Sequence, residues 1–594
     1  QQEAQKFREL AEELSVAPPE FVDIRDRAGW TESLQPGPKM AALVAEAQVA
    51  RPPVKTIDVS SEGQCLILGK ADIAIAAAER LSEALAVTLL LAPGEELPLD
   101  RRYETVRGRL KNVTGTFGQF GVTLDAVELL NPAGRGGFTA MASRDGAKTR
   151  CDIILDLSGN APLFPAPEKR DGYLRADPGS QKAVADAVFE AAQLIGTFEK
   201  TLYLTLEQHL CAHSRAGQTG CSNCLDICPT GAILPAGDHV DIDPLVCAGC
   251  GACSSLCPSG AIKYDAPPVA TVNARVRTLA ETYLKAGGEN PVLMVHDDSH
   301  GAEMIALSAR FGRGLPGNVL PLSVGALTGF GHAEMMAALA SGFCAVHVLA
   351  APRTERDPIR REIALAEAMG GATRLFLLDV DTPDAMSDAL YDAVNTPQQA
   401  DPVLLMGDRR QVARMAAKSL LGPQDAPVPL PENAPYGAVL VDTDACTLCL
   451  SCVSLCPSGA LVDNPDKPEL RFQEDACLQC GLCTNICPEK AISLLPRFDP
   501  SDEVMKLQTL NEEEPFCCIE CGAPFGVKST VEKIVEKLAG KHSMFTDSNT
   551  GRLIQMCDDC RIKAQFHSAD NPFAAADRPR VRTTDDYFSK RRDH

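Results

Sequence analysis

Two stretches in the last third of the chain decide its fold: ACTLCLSCVSLCPSGAL, residues 445–461, and ACLQCGLCTNICPEKAI, residues 476–492. Each holds four cysteines at the spacing Cys-x2-Cys-x2-Cys-x3-Cys-Pro. A loop this tight can wrap three thiolates around one 4Fe-4S cube, with its backbone amides directed at the sulfides. The fourth thiolate must come from elsewhere. Zinc is the alternative, but zinc sites seldom use two such runs with Pro after each last Cys, so the pattern favours iron–sulfur clusters.

A second pair of four-cysteine runs lies earlier in the chain, which indicates that one unit has been used twice. The later of these runs has the regular spacing. In the earlier one, nine residues separate the first two cysteines where the regular motif has two. The insertion carries His213 and Arg215. It predicts a surface loop, and the alternative is that Arg215 or a nearby amide donates toward sulfur and raises the potential of that cluster.

These motifs resemble the bacterial-type two-cluster ferredoxins, and two copies make the chain similar to a polyferredoxin. In that family, the fourth ligand of each cluster comes from the Cys-Pro of the partner motif. The resemblance therefore implies four 4Fe-4S clusters. Their ligand sets are Cys211, Cys221, Cys224 and Cys257; Cys247, Cys250, Cys253 and Cys228; Cys446, Cys449, Cys452 and Cys487; and Cys477, Cys480, Cys483 and Cys456.

Four further cysteines form two Cys-x2-Cys pairs, Cys518 with Cys521 and Cys557 with Cys560. Two such knuckles are typical of a closed tetrathiolate zinc site that holds together a small domain with little core of its own. A further iron–sulfur cluster and thiol redox chemistry are the alternatives. Outside these sets, Cys65, Cys151 and Cys344 lie in apolar strand patterns and are expected to be buried, and Cys517 adjoins the knuckle.

Apolar runs alternating with helical patterns indicate α/β domains between the cysteine-rich segments. Strands are predicted at 65–68, 87–91 and 151–157, and then at 292–295, 319–322, 345–349, 375–378 and 403–406. The predicted domains are 1–60, an N-terminal fragment of an α/β unit; 61–200, an α/β scaffold; 201–266, the first dicluster module; 267–433, a second α/β domain; 434–498, the second dicluster module; and 499–594, a four-cysteine metal-binding domain and tail.

The predicted fold class is therefore α/β multidomain. Two α+β dicluster ferredoxin modules are interleaved with Rossmann-like α/β domains, and a small zinc-ribbon-like domain follows them. Because the chain begins with Gln1 inside a predicted helix, we expect further residues upstream.

The middle domain and the C-terminal tail also resemble known families. The segment around residues 291–371, which contains PGNVLPLSVGALTGFGHAEMMAALASGFCAVHVLAAP at 316–352, is similar to the iron–sulfur delta subunit of viologen-reducing hydrogenases, in which cysteines of this region hold a two-iron cluster. Only Cys344 is present here, so the resemblance implies a spacer or docking platform. CCIECGAPFGVKST (517–530), CDDCRIKA (557–564) and RTTDDYF (582–588) resemble ferredoxin-type proteins encoded beside proteobacterial molybdenum formate dehydrogenases, which implies a formate dehydrogenase as partner.

Composition limits the partners and the location. The net charge of -22 repels phosphate backbones, which argues against nucleic-acid binding and favours a redox protein with a basic docking face. No apolar run is long enough to span a membrane. The chain shows no signal peptide, and 24 cysteines without an oxidising context indicate metal binding, so we expect a cytoplasmic protein.

No catalytic constellation is evident in the sequence. The polar residues after the 292–295 strand, HDDSH at 296–300, could bind a metal, but a polar loop is the simpler explanation. The first functional hypothesis is an electron carrier that relays low-potential electrons between redox enzymes. The alternatives are an accessory or maturation factor for a molybdenum enzyme and a flavin-dependent bifurcating subunit. The turn LGKADIA, residues 68–74, lacks the G-x-G-x-x-G pattern and argues against a flavin there.

Overall fold

The computed structural model describes residues 3–17, 19–95, 100–132, 138–393, 403–538 and 552–566. Its contacts divide the chain into two compact units. The first unit comprises residues 1–437, 478–481 and 496–502, and the second comprises 438–477, 482–495 and 503–594. The motif at 582–588 lies outside the described residues. Among the described helices, none has both the length and the apolar character needed to cross a membrane.

A mixed sheet of eight strands forms the α/β domain at residues 61–200 of the first unit. Its central strand, Gln64–Gly69, runs parallel to both neighbours and is buried on both faces. Cys65 and Ile67 face the helices Ala71–Leu81 and Gln181–Ala192, whereas Leu66 and Leu68 face the opposite side. In spatial order the strands are Phe138–Ala140, Phe120–Pro132, Glu104–Thr114, Ala86–Leu91, Gln64–Gly69, Ile153–Leu157 and Tyr173–Arg175, with Ala147–Cys151 paired to the second of them.

The long antiparallel pair in this sheet was not predicted. Glu104–Thr114 and Phe120–Pro132 form a ladder, and the buried residues Phe120, Val122 and Leu124 alternate along it. That alternation of buried and exposed positions is a strand signal of period two. Phe120, Val122 and Leu124 pack in one cluster with Leu66 and Leu68, the residues that face away from the helices.

The middle domain, residues 267–433, contains a four-stranded parallel sheet, as its alternating pattern predicts. The spatial order is Val319–Ser323, Val292–His296, Ala345–Leu349 and Leu375–Leu378. The helices are Val269–Lys285, His300–Phe311, His332–Ala340, Arg356–Ala366, Pro383–Tyr391 and Arg409–Leu421, and a short Val428–Pro429 strand follows. The strand predicted at 403–406 is wrong: these residues form no strand, and Leu404 and Met406 are exposed although Leu405 packs against the core.

The N-terminal residues pack on this middle domain although more than two hundred residues separate them in sequence. Ala42 and Leu43, from the helix Gly37–Ala47, are fully buried in one core cluster with Val276 and Leu279. The helix Ala4–Glu13 and the π-helical turn Arg25–Gly29 precede this helix. Strand Thr56–Ser61 then pairs antiparallel with Gly196–Thr201.

The first dicluster module, residues 201–266, is built from short hairpins and two short helices. Its paired strands are Leu204–Leu206 with Ile262–Tyr264, Ser214–Arg215 with Gln218–Thr219, and Ile233–Ala236 with His239–Ile242, and its helices are Asn223–Ile227 and Ala252–Ser255. Each helix begins inside a cysteine motif.

The second unit has the same plan with an added strand. Glu469–Phe472 pairs with Leu461–Asp463 on one side and with Gln508–Glu512 on the other, so the C-terminal segment extends the sheet of the module. The remaining elements are the paired strands Gly437–Val441 and Ile492–Phe498, which lie mostly in this unit, the helices Ser451–Ser454 and Leu482–Ile486, the hairpin Pro515–Cys517 with Pro524–Val527, and the helices Lys528–Leu538 and Asp558–Phe566.

Candidate iron–sulfur and metal sites

In the second unit, four cysteines line one small cavity. They are the three cysteines of the first loop, Cys446, Cys449 and Cys452, together with Cys487 from the opposite motif. Leu470 and Ile492 close the cavity with apolar side chains. This is a set of four thiols that the ferredoxin resemblance implies for one cluster, and Cys456, the nearer cysteine in sequence, does not line the cavity.

The first module shows the same crossover of ligands, in which three cysteines of one loop meet the last cysteine of the other motif. Cys247, Cys250 and Cys253 line a small cavity together with Cys228 from the other motif. The carbonyl oxygen of Thr230, just after Cys228, accepts a hydrogen bond from the Arg170 guanidinium of the α/β domain at 3.0 Å. The turn that presents Cys228 is therefore fixed by the neighbouring domain.

The inserted residues after Cys211 form a tight hairpin that brings this cysteine back to its motif. The backbone N–H of Cys221 donates to the Ala212 carbonyl at 3.0 Å, and that of Gly220 donates to the His213 carbonyl at 2.7 Å. The pKa of the Cys224 thiol is raised to about 12, first by burial and then by the neighbouring Cys221, Cys257 and Cys211 thiols. The four cysteines of this set therefore share one environment, although the insertion separates Cys211 from Cys221.

Arg215, in this hairpin, directs its guanidinium at backbone oxygens. Its Nη1 donates to the carbonyls of Ser214 at 2.7 Å and Asp238 at 2.9 Å. The buried His213 ring donates from Nδ1 to the Cys221 carbonyl at 3.0 Å. These hydrogen bonds hold the hairpin through backbone carbonyls, as expected of a surface loop.

The remaining set has three members in one core cluster. Cys477 is buried there, and Cys456 and Cys483 pack against the same cluster. Cys480 lies in the segment 478–481 that belongs to the first unit.

The three regular cysteine loops share one strained backbone conformation. The residue before each middle cysteine, Gly249, Leu448 or Gln479, has a φ of 72°, 49° or 53°. The residue after it is also left-handed, with φ values of 85°, 57° and 81° at Gly251, Leu450 and Gly481. Leucine and glutamine occupy this region only at a cost in energy, and such strain clusters at ligand-binding loops. The repeated geometry indicates loops shaped around a bound group.

Close packing is a second reason why position 249 requires glycine. A side chain there would meet the Tyr203 ring, whose Cδ1 lies 2.5 Å from the position of a Cβ. The loop backbone therefore approaches the aromatic wall more closely than any other residue would permit.

The loops also direct amide groups at sulfur. Burial raises the pKa of the Cys247 and Cys250 thiols, and the N–H groups of Gly249 and Ala252, two residues after each, act in the opposite direction. In the Cys-Pro turns, the amide of Ile262 donates to the Cys257 sulfur at 3.4 Å, and that of Ala491 donates to the Cys487 sulfur at 3.3 Å. Amide donors to sulfur stabilise the thiolate form that metal binding requires.

Burial makes the thiols of Cys221, Cys253 and Cys452 poor nucleophiles without a metal. It raises the pKa of Cys221 and Cys452 to about 12, and it raises that of Cys253 well above its ordinary value. A buried thiol is ionised by a cation that neutralises the thiolate, not by solvent. Groups of four thiols around small cavities therefore suit a bound metal centre.

The C-terminal cysteines also come together. The sulfurs of Cys518, Cys521, Cys557 and Cys560 all lie within 4.8 Å of one another, and those of Cys521 and Cys557 are 3.6 Å apart. Burial raises the pKa of Cys518, but the amides of Cys521 and Cys557 outweigh it and lower that pKa to about 6. Tetrahedral Zn–S bonds of about 2.3 Å set sulfurs about 3.8 Å apart. This group can bind a metal ion, and its spacing suits one ion better than a four-iron cube.

The other cysteines and the polar loop have structural roles. Cys65, Cys151 and Cys344 are buried, as predicted, and burial raises the pKa of Cys151 to about 12. His296 is buried next to Arg27, and burial lowers its pKa to about 4. Asp297 accepts the amide hydrogens of His300 at 3.1 Å and Gly301 at 2.6 Å, and so begins a helix. These contacts are consistent with the interpretation of residues 296–300 as a polar loop.

Two regions match known families. Residues 219–261 and residues 445–492 each match a model described as a 4Fe-4S dicluster domain. The chain contains two 4Fe-4S dicluster domains. No curated protein matches the chain significantly. The dicluster domains and their cysteines support an iron–sulfur electron-transfer role. Cys211 falls outside the first match, and only its spatial position links it to the dicluster domain.

The structure also brings residues to the dicluster domains that the sequence did not indicate. The Thr530 hydroxyl donates to the Thr447 carbonyl at 2.6 Å, between two cysteines of the second dicluster domain. Arg409, from the middle domain, donates to the Ser254 carbonyl at 3.0 Å, between Cys253 and Cys257 of the first. No local sequence pattern could reveal either contact, because each depends on tertiary packing.

Proposed function

We propose that the chain is a polyferredoxin that carries four 4Fe-4S clusters and relays low-potential electrons between redox enzymes. The observation that supports this most directly is the crossover of ligands: in two cavities, the three cysteines of one loop meet the Cys-Pro cysteine of the other motif. Bound clusters would supply one-electron transfer. The chain's own residues would hold the clusters, orient amides toward sulfur and keep water out with apolar walls.

The residues proposed to hold the clusters are the sixteen cysteines of the four ligand sets. For the C-terminal group we propose structural zinc, held by Cys518, Cys521, Cys557 and Cys560. The close spacing of these sulfurs supports a single ion. The two aromatic rings at this end, Phe516 and Phe525, pack edge to face at 5.8 Å, and few larger apolar groups accompany them. A metal would therefore stabilise a segment that has little core.

For the partner we propose a molybdenum formate dehydrogenase in the cytoplasm, and the support is the sequence resemblance of 517–530 and 557–564. The net charge of -22 supports docking on a basic face of such an enzyme. The link between the C-terminal segment and the second dicluster domain, through Thr530 and Thr447, supports a role of this segment in docking next to a cluster.

The test uses anaerobically reconstituted protein with a formate dehydrogenase. Formate and the enzyme should bleach the visible absorbance of the chain, as dithionite does. Bleaching by dithionite alone would contradict the proposed partner but leave the clusters in place. A colourless protein after reconstitution would contradict the cluster proposal itself.

A further inference from the structure

A cavity of about 420 Å³ lies where the first dicluster domain meets the middle domain, and all its walls belong to the first unit. The turn 257–260, the start of the helix Val269–Lys285, the helix Arg356–Ala366 and residues 431–436 form the walls. Its volume lies within the range of small-molecule sites, about 300 to 1,000 Å³, and such sites favour domain boundaries. It is separate from the two small cysteine-lined cavities.

The floor of this cavity is a buried polar network. His332 donates from Nδ1 to the Glu362 carboxylate at 2.6 Å, and the Tyr436 hydroxyl lies 3.0 Å from its Nε2. Arg409 donates to both oxygens of Glu334 at 2.8 and 2.7 Å. Such a network fixes the position of each polar group, because every member is held by another.

The side walls are mostly apolar. Leu210, Ile262, Leu365, Val412 and Tyr436 are among the residues that line the cavity. A cavity with apolar sides and a polar floor fits a flat aromatic molecule with one polar edge.

The position of the cavity limits the chemical class of the molecule that could bind in it. One wall contains Cys257, a proposed cluster ligand, so the inference rests on the proposed function. A cluster exchanges single electrons, so a molecule bound against it is useful only if it accepts electrons one at a time. Nicotinamides transfer hydride, whereas flavins can accept electrons singly. Quinones share that ability but lack a charged end.

An arginine at the rim of the cavity could bind the charged end of a ligand. Arg361 lines the cavity and is exposed, and within the described part of the chain its guanidinium makes no hydrogen bond or ion pair. Arginine binds phosphate through paired donors in a planar fork. We propose that this cavity binds flavin mononucleotide, with the isoalloxazine ring between the apolar walls and the phosphate at Arg361. The missing glycine fingerprint concerns dinucleotide binding at the 68–74 turn and does not bear on this cavity.

The test titrates iron-loaded protein with flavin mononucleotide and follows quenching of flavin fluorescence, with equilibrium dialysis as the second measurement. We expect one site per chain. Ala270→Trp should raise the dissociation constant at least tenfold, because Ala270 is exposed and lines the cavity. Lys285→Trp, at an exposed position of the same helix away from the cavity, is the matched control and should leave it unchanged. Arg361→Ala should weaken the mononucleotide more than riboflavin, which has no phosphate.

Three results would overturn the inference: no binding to iron-loaded protein, equal binding by the Ala270→Trp variant, or displacement of the flavin by a water-soluble naphthoquinone. Equal weakening of riboflavin and mononucleotide by Arg361→Ala would overturn the placement of the phosphate. Iron content is measured on the same samples. Absence of iron would contradict the electron-transfer proposal, whereas absence of flavin binding in iron-loaded protein would contradict this inference alone.

Discussion

The crossover of ligands in the second dicluster domain can be tested by comparing two double variants. If Cys446 and Cys487 hold the same cube, removing both breaks one cluster, whereas removing Cys446 and Cys456 breaks two. The structure supports the first pairing because Cys487, and not Cys456, lines the cavity with Cys446, Cys449 and Cys452. Both variants lose two thiols, so each is the control for the other.

The expected number of unpaired spins follows from the four proposed ligand sets. Each reduced 4Fe-4S cube contributes one unpaired spin, so the intact protein should give about four spins per chain. Cys446→Ala/Cys487→Ala should retain about three spins, and Cys446→Ala/Cys456→Ala should retain about two. The assay is spin quantification of dithionite-reduced protein at low temperature. The reverse order, two spins for the first variant and three for the second, would refute the crossover.

Two further predictions concern stability and the C-terminal metal. Lys39 is fully buried, with one hydrogen bond from Nζ to the Pro316 carbonyl at 3.1 Å. Burial, and then Arg27, lower its pKa from 10.5 to about 7. Below pH 7, the folded protein carries the full penalty of a charged buried amine, about 4 to 5 kcal/mol. Between pH 7 and 10.5 the amine is neutral in the folded protein but still protonated in the unfolded chain, so the free energy of unfolding rises with pH over this range. The penalty is therefore gone above pH 10.5. Lys39→Met should therefore raise the melting temperature at pH 6 and change it little near pH 10, as measured by calorimetry; an equal shift at both values would contradict the reasoning. Cys521→Ser should release one zinc per chain and expose residues 515–538 and 552–566 to protease while leaving the cluster signals unchanged. Loss of cluster signals in this variant would point to iron at that site.

The sequence predicts the cysteine loops and most of the parallel strands because both depend on local patterns. The run 345–349 is a strand with the predicted bounds, and its five buried positions lie in a central strand of the parallel sheet. The run 403–406 has a similar apolar pattern but forms no strand; Leu404 and Met406 are exposed, and Leu405 packs against the core. A short apolar run does not reveal whether a neighbouring strand is present to pair with it.

The structure explains the long insertion after Cys211 in a way that spacing alone could not. Ala216 and Gly217 both have positive φ values, 50° and 76°, and form the turn of the hairpin. A two-residue turn of this kind reverses the chain with little offset, so Cys211 returns to Cys221. The buried network under the proposed flavin cavity was out of reach for sequence reasoning, because His332 and Tyr436 are 104 residues apart.

The central claim is the number of clusters, and iron analysis tests it most directly. Protein reconstituted anaerobically and freed of loosely bound metal should contain about sixteen irons and about sixteen acid-labile sulfides per chain, four of each for every cube. A reproducible value near eight of each would mean that only one dicluster domain binds clusters, and it would contradict the assignment of four cubes to the chain.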